Sequence, residues 1–217
     1  MRRIVVFRHG IVINRWFMEP LARFLRRHGL EVSNPSYPTT RKNIEEHAEE
    51  LASELRGIAK EADARGDPWE LSVVAHSMGS LVFRYAMTHL ETPAVRRAVL
   101  LGPPNAGSVT ARRFRNFPPY RWVFGTKAGS QLAAELPGIY EECGVPPATE
   151  IGIIAGIGNL KLYPVAIPKP HDGVVALEEA RLGDCPIATV PFNHTTMLFR
   201  RRTHELVLRF LDEGKFD

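Results

Sequence analysis

The chain has 217 residues, 44% hydrophobic and 24% charged, a globular balance that argues against disorder and sets the expectation of one domain, residues 1–217, with one substantial core. Lys and Arg number 28 against 24 Asp and Glu, a net charge of +4. The basic residues are dispersed apart from Arg112, Arg113, Arg115 and Arg200–Arg202. They read as solvated faces, the alternative being attraction to anionic lipid or an acidic substrate, and the missing basic–aromatic stripe excludes nucleic acid as an expected partner.

The chain opens on MRRIVVFRHG, whose short apolar run Ile4–Phe7 reads as a buried strand and is too brief for a signal peptide. Asn14–His28 follows as a helix, with Phe17, Leu21, Phe24 and Leu25 on one face and Gly29 as its stop. Leu30–Tyr37 is a second strand, interrupted by Pro35. From Asn43, a cap followed by Glu45 and Glu46, the residues Ile44, Ala48, Leu51, Leu55, Ile58 and Ala62 step by three and four along a long helix. Leu71–Ala75 is a continuous apolar strand and Met78–Leu90 a helix. Ala98–Leu101, Ile151–Ala155 and Ile187–Phe192 are further strands, and His204–Leu211 is a closing helix.

Continuous apolar strands alternating with amphipathic helices predict an α/β fold: an open, mostly parallel sheet with helices on both faces. One segment breaks that rhythm. Residues 102–150 form a long insertion carrying Phe114, Phe117, Pro118, Pro119, Tyr120, Trp122 and Phe124, read either as a cap over a cleft or as a satellite core patch. Cys143 and Cys185 lack metal-ligand spacing and read as free thiols, with a disulfide between them as the alternative. No segment reaches bilayer-spanning length, so a cytoplasmic protein without an integral membrane segment is expected.

The chemistry concentrates at VVAHSMGSLV, Val73–Val82. Ser77 falls where the strand ending at Ala75 meets the helix beginning at Met78, with Ala75 and Gly79 as the small residues that a sharp strand–turn–helix requires. There a hydroxyl faces the carboxyl edge of the sheet, beside the positive end of a helix dipole. The alternative is a serine that merely caps the helix. A nucleophilic serine needs a base and the base an orienting carboxylate. Asp172 in KPHDGVV and His194 in PFNHTTM follow the last two strands, at the same edge and in the order Ser, Asp, His. Asp184 precedes the last strand and is the poorer carboxylate; His171 serves as base only if that order is abandoned. An oxyanion needs two donors. The N–H of Met78 is one candidate, and the N–H of Ile11, after the His9-Gly10 turn, is the other.

Together HGIVINRWFMEPLARFLRRHGLEV, YPTT, VVAHSMGSLV, LLGPPNAGS, HDGVV and NHTTML resemble the small bacterial lipases and esterases of the α/β hydrolase superfamily, nearly end to end and in order. The resemblance implies a minimal α/β hydrolase lacking an early antiparallel strand. It implies ester hydrolysis through an acyl-enzyme, with a small-molecule ester or lipid as substrate and no cofactor or metal. Carried over, Ser77 is nucleophile, His194 base and then acid, Asp172 its carboxylate, and Ile11 and Met78 the oxyanion donors. The chain departs from the family at Ala75, where glycine is usual, and at Arg8, where an apolar residue is usual and a cleft-side guanidinium would favour acidic substrates.

Two rival readings stand beside this one. VVFRHGIVIN resembles the Arg-His-Gly opening of histidine phosphatases, which would pair His9 with His76. Against it, Asn14 is one residue early, Ile11 and Val12 are aliphatic, Ser77 stands where glycine should follow the second histidine, and Asp172 and His194 are left without a role. The other rival is a hydrolase-like binding protein that performs no chemistry. In the preferred reading His76 is a bystander flanking the nucleophile.

Overall fold

The computed structural model describes residues 1–115, 118–134, 138–158 and 167–217. Phe117 lies outside them. In chain order the elements are β1 (Arg2–Arg8), α1 (Arg15–Arg27), β2 (Glu31–Ser33), α2 (Ile44–Arg65), β3 (Trp69–His76), α3 (Met78–His89) and β4 (Arg97–Leu101). Four short helices follow: α4 (Val109–Phe114), α5 (Pro118–Phe124), α6 (Ala128–Leu132) and α7 (Gly138–Glu142). Then come β5 (Glu150–Gly156), the single turn α8 (Leu177–Ala180), β6 (Ile187–Val190) and α9 (Arg201–Glu213).

The strands form one open sheet in the order β2-β1-β3-β4-β5-β6, and each neighbouring pair in that order runs parallel. Apolar side chains leave it on both sides. Ile4, Val6, Leu71, Val73, Ala75, Ala98, Leu100 and Ile153 pack with α2 and α3, whereas Val5, Phe7, Val74, Val99, Leu101 and Ile154 pack with α1 and α9. Burial on both faces is why these strands read as continuous apolar runs rather than alternating ones. The register sets Arg8 beside Ala75 and His76 beside Leu101, so the carboxyl ends of the central strands share one edge.

Local signals act as read. Asn43 and Glu46 form a reciprocal capping box on α2, with bonds of 2.9 and 2.8 Å, and Gly66 ends the helix in a left-handed conformation at φ 76°. The second strand is shorter than expected, three residues rather than Leu30–Tyr37, because Pro35 has no N–H to continue the ladder and β2 is an edge. The last strand stops at Val190. The closing helix starts at Arg201, three residues before the expected His204, because exposed Arg201 and Arg202 suit a first turn that the apolar pattern does not mark.

The described residues of the insertion lie in two places. Ala128, Leu132, Ile139, Tyr140 and Cys143 join the core on the α2–α3 side, whereas residues of α4 and α5 turn toward the carboxyl edge of the sheet. Arg84 of α3, 3% exposed, anchors it: the guanidinium donates to the carbonyls of Gly144 (2.7 Å), Tyr140 (3.1 Å) and Asn105 (3.2 Å). Cys143 and Cys185 are both free thiols, and burial pushes the Cys143 thiol up to about 12. At the opposite, amino edge of the sheet the strand starts carry an ion-pair belt. Arg2 meets Glu31, Arg3 meets Glu70 and Asp212, Arg96 meets Glu70, and Arg97 meets Glu150. No helix among the described residues is long and apolar enough to cross a membrane.

Burial holds the imidazoles of His9, His76 and His204 below the ordinary histidine range. The unfolded chain therefore binds protons near pH 6.5 that the folded chain refuses, and stability is lost as pH falls below that value. Burial raises Glu179, which opposes the trend in its own range. Chemical denaturation between pH 7.5 and 5.5 is expected to show falling stability, and His204→Gln, which removes one of the three, is expected to flatten the slope.

Candidate active site

β3 runs into α3 through Ser77, which adopts φ 53° and ψ −125°, a backbone conformation that side chains other than glycine's rarely take. Ser77 occupies the N-cap position but makes no capping hydrogen bond. Its Oγ instead lies 2.9 Å from Nε2 of His194. The turn is possible because α3 begins almost in contact with the end of β1: a Cβ on Gly79 would stand 2.4 Å from the Arg8 carbonyl oxygen. Ala75, the departure from the family's glycine, buries its methyl in the core.

Nδ1 of His194 lies 2.7 Å from Oδ2 of Asp172, whose carboxylate is 1% exposed. The other carboxylate oxygen accepts the N–H groups of Val174 (2.9 Å) and Val175 (2.7 Å), so the acid's orientation is fixed by its own loop. The main chain repeats the connection, with the His194 N–H donating to the Asp172 carbonyl at 2.9 Å. Gly102, at φ 52°, passes the pair so closely that a Cβ there would lie 3.0 Å from Nδ1 of His194. The structure thus brings Ser77, His194 and Asp172 into one hydrogen-bonded line. Asp184 is exposed and apart from it, and His171 accepts the Gly173 N–H on its own loop.

The amides of Ile11 and Met78 flank this line and have no protein hydrogen-bond partner among the described residues. The turn carrying Ile11 is braced by Val12, whose N–H donates to Oγ1 of Thr39 at 3.1 Å from a left-handed φ of 56°. Arg8 does not enter the cleft. Its guanidinium is 4% exposed, pairs with Glu54 of α2 at 2.8 Å and lies over the Tyr37 ring, so it supplies no charge for an acidic substrate. His9 is also occupied elsewhere: Nδ1–H donates to Gly10, Nε2 accepts from the Tyr37 N–H, and the ring stacks on Tyr37 at 4.4 Å.

Two features were invisible in the sequence. Nε2 of His76, read in sequence as a bystander, donates to the His194 carbonyl at 3.0 Å. The NAGS stretch after β4 is tied to the Asp172 loop through Asn105 to Ala180, Ala106 to Glu179, Ser108 to Val174, and Val109 to the Glu179 carboxylate. Most of these bonds end on backbone atoms, which leave no trace in side-chain identity.

Ser77, His76 and His194 open on a cavity of about 450 Å³. Its other walls are mostly apolar, including Ile11, Val12, Phe114, Val123, Phe124 and Leu132. Among the described residues no cluster of three or more His, Cys, Asp or Glu side chains is arranged to hold a metal ion.

A six-stranded parallel open sheet with a serine on a strained strand-to-helix turn is the α/β hydrolase fold, and comparison with solved structures agrees. The mature form of a Bacillus licheniformis lipase superposes with a TM-score of 0.75 over 97% of this chain and 92% of its own, at 20% identity. A Pyrococcus furiosus esterase gives 0.61 over 97% and 81%, at 17% identity. A Legionella pneumophila phospholipase gives 0.71 over 99% of this chain and 60% of its own, at 12% identity. Residues 1–102 match the family described as "Putative serine esterase (DUF676)". No curated protein sequence matches the chain.

Gly79 offers a direct check on the turn. Gly79→Ala places a methyl against backbone that cannot step aside, and a loss of about 3 kcal/mol is expected in denaturant unfolding.

Proposed function

We propose that the protein is a serine hydrolase of carboxylic esters with an apolar acyl group, acting through Ser77, His194 and Asp172. The observation that carries this reading is the hydrogen-bonded line from Ser77 Oγ through His194 to buried Asp172, opening on an apolar cavity. Nε2 of His194 takes the Ser77 proton as Oγ attacks the ester carbonyl, and Asp172 stabilises the imidazolium that forms. The oxyanion is received by the N–H groups of Ile11 and Met78, the second at the positive end of α3. His194 then returns its proton to the leaving alcohol. Water, deprotonated by the same imidazole, releases the acid from the acyl-enzyme. The chemistry calls for no cofactor.

The cavity suggests what the acyl group is. Walls of Phe114, Val123, Phe124 and Leu132 offer almost no hydrogen bonds, so they reward methylene groups rather than a charged or hydroxylated chain. The ester-hydrolase reading also agrees with the description of the family matched by residues 1–102. Phosphoryl transfer through His9 finds no support, because both of its ring nitrogens are engaged by main chain.

p-Nitrophenyl acyl esters of graded length test the proposal. kcat/KM is expected to rise about fourfold per methylene, the equivalent of ~0.8 kcal/mol, until the cavity is filled. Ser77→Ala is expected to lower kcat by about 10⁴-fold or more, and Asp172→Asn by a similar order. A Ser77→Ala protein as active as the parent would rule the mechanism out.

A further inference from the structure

We infer that His76 is a positioning residue for the base: its ring N–H holds the main chain of His194, keeping the His194 imidazole on Ser77. This rests on the reading of Ser77, Asp172 and His194 proposed above. His76 is 2% exposed at the end of β3, one residue before the nucleophile. A carbonyl only accepts, so the 3.0 Å contact between Nε2 of His76 and the His194 oxygen fixes the proton on Nε2. The two rings also pack together, with centroids 4.7 Å apart and planes at 47°.

The need for this contact follows from how His194 is otherwise held. Its N–H and its Nδ1 are both bound to Asp172, one through main chain and one through the carboxylate. Both attachments run to the Asp172 loop, which is itself bonded to the stretch after β4, so neither ties the base to the strand that carries Ser77. His76 supplies the third point from the strand that delivers Ser77, placing base and nucleophile in one frame. Proton transfer tolerates little error here; a misplacement of about 1 Å costs on the order of 10²-fold.

A second observation favours a working histidine over a passive one. Nδ1 of His76 is buried without a hydrogen-bond partner, and a Cβ on Gly10 would lie 2.9 Å from it. A buried polar atom left bare destabilises the fold, so an apolar ring would pack there at lower cost if packing were the only role. The charge state suits the role as well. Burial, reinforced by the neighbouring His194, holds His76 well below the ordinary histidine range, so it stays neutral while His194 gains a proton during the reaction.

His76→Phe keeps the ring's bulk and removes the donor, while His76→Gln restores an N–H able to reach the same carbonyl. With a p-nitrophenyl ester, His76→Phe is expected to lower kcat roughly 10- to 100-fold with KM within about twofold, and His76→Gln to recover most of it. Full kcat in His76→Phe, or an equal fall in both variants, overturns the inference. Should neither variant show a cooperative melt, ¹⁵N NMR of the imidazoles in the unsubstituted protein decides: a neutral ring protonated on Nε2 is required, and a charged ring or the Nδ1–H form overturns the assignment. Ser77→Ala in the same plate separates the two levels. An inactive Ser77→Ala beside a fully active His76→Phe defeats only the role of His76, whereas an active Ser77→Ala defeats the mechanism on which it rests.

Discussion

Everything at the carboxyl edge depends on the close approach of the start of α3 to the end of β1. With no side chain at Gly79, the helix comes within contact of the Arg8 and His9 carbonyls, and that proximity forces the β3–α3 link into a turn too tight for relaxed backbone. Ser77 carries the resulting strain at φ 53°, a conformation costing about 1–3 kcal/mol. Packing of Met78, Leu81 and Val82 into the core holds it there. The strain lifts the hydroxyl clear of its own helix, so it does not cap α3 and remains available to His194.

Around that turn, each remaining part is fixed by something other than the serine. The Asp172 carboxylate is oriented by the amides of its own loop, and that loop is bonded to the NAGS stretch after β4. Arg84 joins the insertion to α3 with a buried cation that meets carbonyl oxygens. Hydrogen bonds to a charged donor are stronger than neutral ones, and removing the donor would leave several buried carbonyls bare at once. The insertion and the helix that begins after Ser77 therefore share one support.

The fold was largely legible because its signals are local. Apolar runs mark the central strands, and the Asn43–Glu46 pair and Gly66 mark both ends of α2. Edge strand β2 was overextended because an apolar run alone does not reveal where pairing stops. The candidate site was legible at Ser77, Asp172 and His194 because chain order and sheet topology place all three on loops at one edge. His76 and Arg8 were not legible. Their partners are a carbonyl 118 residues away and a carboxylate on another helix, contacts that only the packed molecule creates. The same guanidinium that suggests an acidic substrate in sequence serves in the structure to fasten α2 to β1.

The ion-pair belt at the amino edge lies across the full length of the strands from Ser77, His194 and Asp172. Among the described residues, no cavity-lining side chain belongs to the belt. The sheet thus separates two kinds of selection. Substitutions among the belt's charges leave the cavity lining untouched, and substitutions in the loops at the far edge leave the belt untouched. Few substitutions would have to satisfy both demands, which makes so small a scaffold easy to retune.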